Sequence, residues 1–102
     1  MSEPVMTGAT GPGTVVLDLG PGAGALILYA TASLAGAEIE ISRDGAPRTH
    51  ARVRPRHLPG QTRYAALYPG LPAGRYTVWH GDRPAATATV TAGQVSDCRW
   101  PG

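Results

Sequence analysis

The feature that most constrains this chain is the spacing of its punctuation. Fourteen glycines and ten prolines in 102 residues divide it into short runs, each closed by a turn signal. The runs are residues 14–19, 25–30, 37–42, 48–54, 62–68, 75–80, 85–91 and 95–100. The breaks between them read "GPGAG", "ASLAG", "RDGAP", "PRHLPG", "PGLPAG", "GDRP" and "AG". Within the runs, apolar residues alternate with polar ones or are β-branched, which suits pleated strands and no helix longer than one turn. Seven or eight short strands at this spacing predict an all-β antiparallel β-sandwich. Residues 1–13 read as a Gly- and Pro-rich leader, and residues 14–102 as one sandwich domain.

The turn "RDGAP" allows a register to be derived. With Ser42 facing Arg48, antiparallel pairing sets Glu40 opposite His50 and Glu38 opposite Arg52. Ile41, Ile39 and Ala37 then meet Thr49, Ala51 and Val53 on the other face. One register yields both an apolar inner face and a charge-paired outer one, and that coincidence is what selects it.

Composition narrows the function classes. Hydrophobic residues at 42% and charged residues at 16% are globular values, and a net charge of +2 does not by itself argue for nucleic acid. The single Cys98 excludes an intrachain disulfide framework and suits a reducing compartment. No basic, apolar leader or membrane-length apolar run occurs, so a cytoplasmic protein without membrane partners is expected. All nine basic residues are arginine, with no Lys, Asn or Phe. This bias resembles GC-rich coding, and "VLDLG", "AGAEIEIS" and "RYAALYPGL" resemble short actinobacterial proteins without an established activity.

The stretch "VVLDLGPGAG" is similar to the first motif of S-adenosylmethionine-dependent methyltransferases. That geometry needs a helix beginning at Gly24 and an acidic residue about 20 positions on, where Glu38 and Glu40 stand. The strand-like "ALILYA" that follows points instead to a turn between strands. Residues 68–100, with Leu71, Gly74, Tyr76 and Val78, resemble the closing hairpins of prealbumin-like domains, among them carboxypeptidase regulatory-like domains. An immunoglobulin-like sandwich is the other arrangement the strand count allows. The resemblance implies that Leu71 plugs one end of the sandwich and that Tyr76 and Val78 lie in the core, with Trp79 facing outward.

Two surfaces are candidates. Tyr64, Tyr68, Arg75 and Trp79 combine aromatic rings with arginine, the composition that protein interfaces favour. Arg48, His50, Arg52, Arg54 and Arg56 share one strand face. Glu38 and Glu40 neutralise its first half and leave Arg54, Arg56 and His57 for an anion. No close His or Cys pairs announce a metal, and no catalytic or cofactor-binding residue stands out. The expected function is a non-enzymatic interaction or accessory module that binds a protein or a second copy of itself. A small hydrolase or methyltransferase and an anion-binding module are the alternatives.

Overall fold

The computed structural model describes residues 20–101. The run 14–19 and the 1–13 leader lie outside them. Two four-stranded sheets face each other across one core. Sheet A has the order β4-β5-β1-β8, from Arg54–Leu58, Gln61–Pro72, Ala23–Ala30 and Val95–Arg99. Sheet B has the order β3-β2-β6-β7, from Thr49–Arg52, Glu38–Arg43, Gly74–His80 and Arg83–Val90. This is the expected β-sandwich. Every ladder is antiparallel except β1–β8, which is parallel and aligns Tyr29 with Arg99. Among the described residues the sole helical segment is a 3-10 turn at Ala32–Leu34, and no helix is long and apolar enough to cross a membrane.

The derived hairpin register is the one adopted: Glu38 pairs with Arg52, Ile39 with Ala51, Glu40 with His50 and Ile41 with Thr49. The strand expected over 48–54 divides at Val53. There the chain leaves sheet B and enters sheet A, with the Val53 N–H donating to Ala37 O (2.8 Å) and the Gly36 N–H donating to Val53 O (2.9 Å). Residues 55–58, read above as part of a break, form most of β4. Pro55 is tolerated because β4 is an edge strand, where a missing donor on the solvent side costs nothing. The break at "PGLPAG" is likewise mostly strand. Between Gly24 and Leu26, which pair with Leu71 and Tyr68, the ladder absorbs an extra residue as a bulge, and Gly70 supplies the φ of +68° there.

Leu26, Leu28, Ala66, Tyr68 and Leu71 from sheet A meet Ile39, Ile41, Tyr76, Val78 and Val90 from sheet B, with Val53 at the crossing. Each fully buried aliphatic side chain contributes about 1.5–3 kcal/mol. Two tyrosines bring polar atoms into this core and both are satisfied. Tyr76 Oη donates to Pro72 O at 2.6 Å, close to the corner between β5 and β6. Tyr68 Oη donates to Ile39 O at 2.7 Å and so ties sheet A to sheet B. The β2–β6 ladder starts only at Ile41, and the phenol takes over where it stops.

The glycines of "GPGAG" also acquire a physical role. The Ala23 N–H closes a turn onto Gly20 O, Gly20 and Gly22 have positive φ, and strand β1 follows. A Cβ on Gly24 would collide with the carbonyl oxygens of Thr91 and Gln94 and with Val90. Gly24→Ala should therefore cost about 1–3 kcal/mol in urea denaturation, because backbone has to move.

Tyr68→Phe should cost about 0.5–1.5 kcal/mol by removing a buried hydrogen bond. It should also flatten the alkaline limb of the stability curve. Burial, reinforced by the Cys98 charge, holds the Tyr68 phenol well above its ordinary value. Its contribution is therefore whole below about pH 10, where the unfolded phenol ionises, and is lost as pH rises from there. A wild-type stability that stays flat above pH 10 would contradict this.

Candidate functional site

The outward residues of the two sheets differ in how far they satisfy one another. On sheet B, Glu38 pairs with Arg52 at 3.1 Å and Glu40 with Arg48 at 2.8 Å, and His50 approaches Glu38 at 3.9 Å. Arg48 reaches further. It donates to Gly81 O at 2.9 Å, and its guanidinium lies 4.0 Å from the Trp79 ring centroid. The Trp79 indole N–H donates to Ser42 Oγ at 2.9 Å. Strand parity turns Trp79 outward as expected, but Arg48 covers the ring and Ser42 holds its edge. One cluster thus fastens the β2–β3 hairpin to the β6–β7 turn.

The four residues singled out as a partner surface are not brought together. Tyr68 is 2% exposed, in the core. Tyr64 is on β5 of sheet A, half-buried against the same core. Arg75 and Trp79 share the outer face of sheet B, with Arg75 opposite Thr89. Alternation correctly groups Tyr64 with Tyr68 and Arg75 with Trp79, but each pair lies on a different sheet. Of the proposed anion residues, Arg54 and Arg56 lie on the outer face of sheet A. His57 has the opposite parity, and its Nδ1 lies 3.3 Å from Thr62 Oγ1.

Among the described residues, the outer face of sheet A is the less covered one. Ile27 pairs with Leu67 across β1 and β5, and Val95 lies one strand further on β8, opposite Ala25. Leu67 and Val95 are each 49% exposed and Leu58 is 42% exposed, and these are the only large hydrophobic side chains classed as exposed among the described residues. All three share the parity of this face. A groove of about 390 Å³ runs beside the stripe, lined in part by Ile27, Leu67, Arg54 and Arg56. Arg52, Arg54 and Arg56 line the groove, and Arg63 and Arg99 stand elsewhere on the same face. Arg52 pairs with Glu38, and the other four are in no ion pair among the described residues, although Asp97 shares the face.

Catalytic features are sparse. Burial pushes the Cys98 thiol up, only partly offset by the backbone at Arg99, so it is a poor source of thiolate. Among the described residues, no three His, Cys, Asp or Glu side chains gather to hold a metal. A strand follows the glycines of "GPGAG", so the strand–loop–helix geometry of a nucleotide-binding loop is not formed there.

Fold and faces together define a small β-sandwich with ion pairs on one outer sheet face and exposed apolar side chains on the other. No family model, curated protein or solved structure matches the chain. The Leu71, Gly74, Tyr76 and Val78 pattern therefore remains a likeness of pattern.

The Arg48 cluster makes Trp79 structural. Trp79→Ala should lower stability by about 1–3 kcal/mol in urea denaturation, through lost packing, the indole bond and the cation–π contact. The variant should bind ligands of sheet A as the wild type does, by titration.

Proposed function

We propose that this protein is a non-enzymatic interaction module whose outer face of sheet A docks on an acidic protein surface. The observation that carries this reading is that every exposed large hydrophobic side chain among the described residues falls on that one face, which also carries four arginines without ion-pair partners among those residues. Ile27 and Leu67 pair there, with Val95 on β8 and Leu58 at the far end of the β4–β5 ladder, and exposed apolar surface on one face marks interaction sites. Arginine beside apolar side chains is the composition of interface cores and their rims.

Charge chooses the occupant. A second copy stacked on the same face would set four arginines against four, so a partner carrying carboxylates around an apolar centre fits better. Nucleic acid makes poor use of Leu67 and Val95, which present no hydrogen-bonding groups to it and no ring for a base to stack on. The free Cys98 thiol supports a reducing, cytoplasmic setting.

The test uses a short peptide of alternating Glu and Leu, with an alternating Lys and Leu peptide as control, followed by NMR. The acidic peptide should shift the amides of Ile27, Leu67 and Val95, weaken as salt rises, and lose at least tenfold in affinity in Leu67→Asp. Shifts confined to sheet B, equal binding of both peptides, or preference for anionic lipid vesicles would overturn the proposal.

A further inference from the structure

At the end of sheet A where β1 and β8 finish and β5 begins, a second cavity opens, of about 310 Å³. Arg63 comes from β5, Tyr29 from β1 and Arg99 from β8. Tyr29 aligns with Arg99 in the parallel ladder. The Arg63 guanidinium lies 5.8 Å from the Tyr29 ring centroid. Tyr64 and Trp100 supply further aromatic wall, and Trp100 is held by its backbone N–H, which donates to Tyr29 O at 2.8 Å. Its indole also meets the His80 ring edge-on, with centroids 5.4 Å apart.

The residues lining this cavity include no carboxylate. Asp97 lines an adjoining groove together with Tyr29, Arg63 and Arg99 and forms an ion pair with neither arginine. Among the described residues neither guanidinium donates a hydrogen bond to a protein acceptor. Two cations thus stand on either side of one tyrosine at the edge of a concavity, with no protein acceptor among the described residues. An oxyanion would accept from both forks, and a flat group attached to it would lie against the aromatic wall.

We propose that this cavity is a binding site for a phosphate carried on a planar ring. Arg63 and Arg99 hold the phosphate, and Tyr29, which shares their face, receives the ring, with Trp100 at the border of the cavity. The site shares Arg63 and Arg99 with the proposed docking face but not its apolar Leu67–Val95 stripe, so either can fail without the other.

The probe is phenyl phosphate, titrated into the full chain by NMR and compared with inorganic phosphate and phenol. The indole N–H of Trp100 should shift, while that of Trp79, on the other sheet, serves as an internal reference and stays still. Phenyl phosphate should bind about tenfold or more tightly than inorganic phosphate, since one stacked ring contributes on the order of 1–3 kcal/mol. Phenol should not bind measurably. Arg99→Met should abolish binding, and Leu67→Asp should leave it unchanged while abolishing the acidic-peptide response.

Should Arg99→Met fail to fold, Arg63→Met reads the same loss from the other side of the cavity. Tyrosine phosphate and a nucleoside monophosphate separate a protein side chain from a small molecule as the source of the ring. Equal affinity for phenyl phosphate and inorganic phosphate, equal shifts at both tryptophans, or binding that survives loss of either arginine would overturn the site.

Discussion

The architecture depends on the crossing at Val53. A strand that moves from one sheet to the other must give up one ladder before it has joined the next, and buried backbone left unpaired there would cost more than the crossing gains. Here the residue is 1% exposed, and both of its backbone groups are satisfied by the segment Gly36–Ala37 that leads into β2. β3 therefore completes sheet B and β4 starts sheet A with no loop between them. One long side of the sandwich is closed by continuous chain.

The same crossing decides where the charge goes. Arg48, His50, Arg52, Arg54 and Arg56 keep one parity throughout, yet Val53 sends the first three to sheet B and the last two to sheet A. Glu38 and Glu40, on β2, reach only the former. The unpaired arginines at the β4 edge thus follow from backbone topology as much as from composition.

How much of this was legible beforehand varied with how many constraints fell on each segment. The β2–β3 register could be derived because two strands had to place apolar and charged faces together, and only one alignment does so. The burial of Leu71, Tyr76 and Val78 was legible for a similar reason, as part of a compact local pattern. In "RYAALY", both parities carry apolar residues: Tyr64, Ala66 and Tyr68 on one, Ala65 and Leu67 on the other. Alternation says which residues share a face and leaves open which face is covered, and here the tyrosines went inward. The β4 strand was obscured by two prolines and a glycine in the six residues of "PRHLPG", where Pro59 and Gly60 alone make the turn.

The ring-lined cavity had no local signature. Arg63, Tyr29 and Arg99 are remote in sequence and meet only because β8 returns to lie parallel beside β1, a pairing that strand spacing does not specify. The signals that were available, an arginine in each of "QTRYAA" and "SDCRWPG", gain meaning once that topology is known.

The open face and the cavity use arginine in different ways, and the difference follows from distance. Arg54 and Arg56 stand at an exposed edge, where attraction to a partner is screened within about 8–10 Å at physiological salt. Charges so placed speed and orient encounter more than they hold a complex together, so the lifetime of a complex on this face falls to Leu67, Ile27 and Val95. Arg63 and Arg99 instead line one concavity, and an oxyanion bound there by both guanidiniums, as proposed, would leave screening little room to act. Salt should therefore act mainly on the rate of docking at the stripe, whereas in the cavity it competes with the ligand itself.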